Sequence, residues 1–104
     1  MLYIIYQEDV ENSGPLRERH KLAHFRYLED HDDKLVLGGA LLADDGVARV
    51  GSVLIINVAN REEAEEFSAY EPLRKGGVFK SVKITHMRRG QWNPDAAPKT
   101  PEGN

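Results

Sequence analysis

Two apolar runs constrain this chain more than anything else in it: "MLYIIY" at residues 1–6 and "GSVLIINV" at residues 51–58. Both are β-prone and apolar at nearly every position, so each reads as a central strand buried on both faces. What lies between and after them sets the fold. "QEDVENSGP" carries the Asn, Ser, Gly and Pro of a loop. Pro15 suits the first turn of a helix, placed at about residues 15 to 31. A short strand follows at Lys34 to Leu37, then a Gly-Gly break and a connection with an Asp-Asp-Gly turn at 44 to 46. Asn60 is a good N-cap for "REEAEEFSAY", whose early carboxylates complement the helix dipole. "EPLRKGG" ends that helix, and "VFKSVKITHMRR" alternates imperfectly as the last strand.

The order is β-α-β-β-α-β. That is the split βαβ arrangement of a ferredoxin-like α+β fold: one four-stranded antiparallel sheet with two helices on one face. The other face is left bare, yet the first and third strands are apolar on both sides. An exposed apolar sheet face is an association site, so a homodimer closed sheet to sheet is expected.

The chain has 104 residues, enough for one domain with a real core and too few for two. Residues 1–90 read as that domain and 91–104 as a tail. The stretch from Gly90 onward holds three prolines, and residues 94–104 are expected to be disordered. Trp92 is expected to pack onto the body or onto a partner subunit. Hydrophobic residues make up 40% and charged residues 30%, an ordinary globular balance. No run spans a bilayer and the start lacks the form of a signal peptide, so no membrane partner is expected. Cysteine is absent, which excludes disulfides and thiolate chemistry and favours a reducing cytoplasm. A net charge of −3 without a basic stripe argues against nucleic acid.

Chemistry concentrates in "HKLAHFRYLEDH", residues 20–31, which holds three of the four histidines. At 100° per residue, Leu16, His20, Ala23, His24, Tyr27, Leu28 and His31 share a face. Leu22 and Phe25 fall outside it. Three roles compete for these histidines. Packing with one satisfied hydrogen bond suits His20 and His31. Metal binding has the right spacing at His20 and His24, but "HKLAH" lacks the carboxylate of a zinc-protease motif and cysteine ligands are missing, so no metal or other cofactor is expected. Acid–base work needs a carboxylate or hydroxyl from another element.

The chain resembles the YciI-like proteins, small dimeric α/β-barrel domains, over roughly residues 1 to 90. The resemblance rests on "MLYIIY", on "LAHFRYLED" followed by "DKLVLGGALLADDG", on "GSVLIINVANREEAEEFSAYEP" and on "GGVFKSVKI". It implies that His24 is the family's histidine and that Glu71-Pro72 stands at its Asp-Pro step. It also implies that the two side chains work as a dyad in a pocket between helix and sheet. The chain departs from the pattern with Glu71 for Asp, Leu73 where Tyr is common, and Lys21 where Arg usually precedes the histidine.

On that resemblance, His24 and Glu71 are the expected catalytic pair of a small-molecule enzyme. Glu71 would fix the imidazole tautomer, and His24 would act as general base or acid in an isomerisation or elimination on a small cyclic or carboxylated compound. Arg74 and Lys75, just beyond, would attract an anionic group. No serine carries a nucleophile motif. The rival reading is a non-catalytic ligand-binding or accessory homodimer. A cofactor-free monooxygenase fits less well, because the single Trp lies in the tail. "QEDVENSGP" is acidic where an acylphosphatase would carry its phosphate loop.

Overall fold

The strands β1 (Leu2–Asp9) and β3 (Arg49–Asn57) lie side by side at the centre of a four-stranded antiparallel sheet, with β2 (Leu35–Leu42) and β4 (Phe79–Met87) as its edges, in the order β2-β3-β1-β4. These are features of a computed structural model that describes residues 1–104. Three helices complete the element order: α1 (Gly14–Asp30) between β1 and β2, then α2 (Arg61–Tyr70) and the single turn α3 (Pro72–Lys75) between β3 and β4. This is the ferredoxin-like arrangement expected from the two apolar runs.

Register decides which side chains meet the helices. Ile5 pairs with Leu54 on one side and with Ile84 on the other, so the three share a face. Tyr3, Ile5, Leu54 and Ile56 join Val58, Ala64 and Phe67 in the core, with Tyr27, Leu28, Leu35, Val82 and Ile84 packed around them. Full burial of a side chain such as Ile5 or Ile56 stabilises the fold by about 1.5–3 kcal/mol. The opposite face carries Ile4, Tyr6, Val53, Ile55 and Leu37, and of these Tyr6 is 44% and Leu37 64% exposed.

Two stretches differ from the sequence expectation. β2 does not stop at Leu37 but runs through both glycines to Leu42, after a bulge at Val36. Gly38 pairs with Leu54 and Gly39 with Val53, so the neighbouring strand's backbone overrides their weak strand preference. At Gly38 the close approach also excludes a side chain, because a β-carbon would stand 2.8 Å from Leu54 Cδ2. The second difference is in α1. The expected inward face is half-buried at Leu16, His20, His24, Tyr27, Leu28 and His31, but Ala23 is exposed and the helix has no fully buried residue.

α2 begins as expected, with Asn60 Oδ1 accepting from the Glu63 backbone N–H at 2.9 Å. In the tail, Pro94–Ala96 form a 3₁₀ turn and Trp92 is exposed beneath the Arg89 guanidinium, 5.5 Å from the ring centre.

Candidate active site

The junction of α2 and α3 places one acidic side chain with unusual economy. Pro72 disfavours helical dihedrals at the residue before it. Glu71 accordingly adopts φ −65° and ψ 126°, ending α2 and capping α3 at once. Its Oε1 accepts from the Leu73 backbone N–H at 3.1 Å. The same oxygen meets His24 Nδ1 of α1 at 2.5 Å, across 47 positions of sequence. The carboxyl is 1% exposed and the imidazole 18%. Glu71 Oε2 is buried without a hydrogen-bond partner.

With Nδ1 directed at the carboxyl, Nε2 is the ring nitrogen left without a protein partner. His24 lines a cavity of about 490 Å³ between α1 and the sheet. This volume lies in the range of small-molecule sites. Its apolar wall comes from Phe25, Leu28, Leu35, Leu54 and Leu73, and the strand segment Gly38–Ala40 leaves room for an occupant. The cavity explains why α1 has no fully buried residue: the middle of the helix spans a space instead of packing onto the strands.

The other histidines have local tasks. The ring of His20 lies directly against Gly76. His31 Nδ1 contacts the carbonyl of Tyr27, one turn back, at 2.7 Å. His86 stacks on Tyr3 with ring centres 4.9 Å apart. No three His, Asp or Glu side chains gather closely enough to hold an ion. Tyr27 donates to the Phe67 carbonyl at 2.7 Å. Burial, with the Glu71 and Glu66 carboxylates nearby, pushes its phenol up to about 12.

Arg74 and Lys75 point elsewhere. Arg74 Nη1 donates to Ser68 Oγ at 2.6 Å, the Lys75 ammonium sits 5.8 Å from the Tyr70 ring centre, and neither lines the cavity. The cations that line it are Arg17, Lys21 and Arg49. Arg17 is fixed by Asp9, which accepts from Nε and Nη2 at 2.7 Å each and from Ser13 Oγ at 2.6 Å. Burial alone would raise the Asp9 carboxyl, but hydrogen bonds from Arg17 and Ser13 and the charges of Arg17 and Arg49 hold it below its usual value. Ser52 lines the cavity too, and its Oγ accepts from the buried Gln7 Nε2 at 2.8 Å. The sequence reading missed this group. Asp9, Ser13 and Arg17 straddle a loop and a helix start, and no motif joins them to Ser52.

A family model described as the YCII-related domain matches residues 1–88. Among curated proteins none matches the chain. Among solved structures, the chain is similar to the 5-chloro-2-hydroxyhydroquinone dehydrochlorinase TftG of Burkholderia phenoliruptrix, solved with 2,5-dihydroxybenzoquinone. The two are 30% identical with a TM-score of 0.77, over 86% of this chain and 96% of that one. A more distant likeness is to At3g17210 of Arabidopsis thaliana, at 8% identity and a TM-score of 0.48, over 88% of this chain and 97% of the other.

Proposed function

The chain belongs to the YCII-related family, and from that premise we propose that it is a small-molecule enzyme in which His24 and Glu71 carry out general acid–base chemistry. The observation that supports this most is the 2.5 Å contact between His24 Nδ1 and Glu71 Oε1 at the wall of a 490 Å³ cavity. With the Glu71 carboxyl ionised, Oε1 accepts from both the Leu73 N–H and His24 Nδ1–H. Nε2 then carries the lone pair on the cavity side, the arrangement a general base needs.

The reaction class is elimination, or the related isomerisation. On the keto tautomer of a small hydroxylated ring, in which the carbon bearing the leaving group is tetrahedral, His24 Nε2 removes a proton from a neighbouring carbon or conjugated hydroxyl. The electron pair left behind forms a new double bond as an anion departs from the ring. The imidazolium then gives the proton to solvent, so the net change is loss of an acid with no oxidant or reductant. The dehydrochlorinase activity of the similar protein TftG supports this class. The anion-attracting part expected of Arg74 and Lys75 falls, in this proposal, to Arg17, Lys21 and Arg49.

The assembly belongs to the same proposal. Ile4, Tyr6, Val53, Ile55 and Leu37 form an apolar sheet face that a second copy of the chain would cover, closing a dimeric barrel.

The test is chloride release from 5-chloro-2-hydroxyhydroquinone and from other halogenated dihydroxy- and trihydroxybenzenes. Turnover by the native chain and its loss in His24→Gln support the proposal. A His24→Gln protein as active as the native one refutes it.

A further inference from the structure

Two donors in the cavity are held from behind and left unspent in front. Arg17 uses Nε and Nη2 on Asp9, and Nη2 also reaches the Gly51 carbonyl at 3.3 Å. Nη1 has no protein partner, and the side chain is 11% exposed. Ser52 follows Gly51 in β3, and Arg17 and Ser52 line the same cavity. Ser52 Oγ is already an acceptor from Gln7 Nε2. Its own proton is therefore directed away from Gln7, and Ser52 lines the same cavity as His24.

The electrostatics agree with the geometry. Arg17, Lys21 and Arg49 line the cavity, against the single carboxylate of Glu18. Asp9 fixes the Arg17 fork in place, so little side-chain entropy is lost when a ligand accepts from Nη1. The remaining wall is apolar, which suits a flat carbon skeleton better than a bare inorganic ion.

We propose that the cavity takes a small ring bearing an oxygen anion, and that Arg17 and Ser52 grip that oxygen while His24 faces the ring. The assignment rests on the acid–base reading of this cavity and adds to it the substrate class and two specificity residues. An oxygen anion held by two fixed donors is also where charge develops when a neighbouring proton leaves, so the same pair stabilises the reacting form.

The test is calorimetric titration of the full chain with benzoate, with benzamide as its uncharged match, and with inorganic phosphate. The native protein is expected to bind benzoate at least about tenfold more tightly than either of the others, the scale of charge-assisted hydrogen bonds. Arg17→Lys keeps a cation on Asp9 but loses Nη1, and Ser52→Ala removes the hydroxyl. Each should lose most of the benzoate preference and leave benzamide affinity within about twofold. If Arg17→Lys does not fold, Ser52→Ala decides alone. Equal affinities for all three probes overturn the proposal, as does a benzoate preference that survives in the folded variants. These readouts are separate from chloride release in His24→Gln. No benzoate preference in the native protein, with His24-dependent turnover intact, sinks the oxygen grip alone; a native benzoate preference without His24-dependent turnover sinks the acid–base reading alone.

Discussion

The ring of His20 and the backbone of Gly76 are in such close contact that a β-carbon at position 76 would overlap the imidazole. The contact joins α1, which carries His24, to the residue that closes α3, the turn that Glu71 caps at its start. Gly76→Ala should therefore destabilise the protein by about 1–3 kcal/mol, the usual range for overpacking. Adding His20→Ala should restore much of that loss. Thermal melts of the two single variants and the double variant measure the coupling, and strict additivity would show that the contact does not hold the helices.

Glu71 performs two tasks that different substitutions separate. Glu71→Gln keeps an oxygen for the Leu73 N–H but no longer offers a carboxylate to His24. It should fold, and lower turnover by about 10²-fold or more. Glu71→Ala removes the cap as well and should cost about 1 kcal/mol of stability in addition. Glu71→Asp keeps the charge and shortens the reach by one methylene. Its activity relative to Glu71→Gln reports how tightly the 2.5 Å geometry is required. Steady-state kinetics with parallel denaturation curves read all three.

Acid should weaken the protein through Asp9. Its carboxyl is held below the ordinary value of 3.8 in the folded state, so the folded chain binds that proton less readily than the unfolded chain. The resulting stability is present above the unfolded value and is lost as pH falls through the folded one. Asp9→Asn should be less stable than the native chain at neutral pH and should show a flatter loss of stability below about pH 4. Urea denaturation between neutral pH and strong acid makes the comparison.

Tyr27 carries the opposite sign at the alkaline end. Its phenol is raised from 10.0 to about 12, so the folded state keeps a proton that the unfolded state gives up. That contribution is complete below pH 10 and is lost as pH climbs towards 12. Absorbance titration of phenolate should show a late-titrating component, and Tyr27→Phe should remove it. The same variant loses the hydrogen bond to the Phe67 carbonyl and should be less stable by about 1 kcal/mol at neutral pH.

Ile55 lies in the middle of the apolar sheet face, paired with Ile4 and Leu37. Ile55→Glu should leave the chain folded, because the core lies on the opposite face. It should also prevent the proposed sheet-to-sheet pairing and leave a species of 11.7 kDa in place of a dimer. Sedimentation equilibrium distinguishes the two, and a native chain already at the lower mass would remove the dimer from the account.

Much of the architecture was legible because the informative signals are local. "MLYIIY" and "GSVLIINV" mark the central strands, and Asn60 followed by "REEAEEFSAY" marks α2 with the boundaries it has in the structure. The expected strand at Lys34 to Leu37 is shorter than β2 because glycine propensity is a local quantity, whereas Gly38 and Gly39 are held in the strand by β3. The His24–Glu71 meeting was read from a resemblance and not from spacing, since 47 positions lie between the partners. Arg17, Asp9, Gln7 and Ser52 escaped altogether. Their grouping depends on strand register and on one carbonyl at Gly51, and neither leaves a mark in a single sequence.

The first helix bridges a hollow and does not rest on the strands along its whole length. Lys21 and Phe25 face that hollow, and both are exposed to solvent. Replacing them should alter the lining of the chamber while the hydrophobic interior is left untouched. A scaffold with that property can acquire new substrates through a few helix positions without first having to survive the loss of its fold.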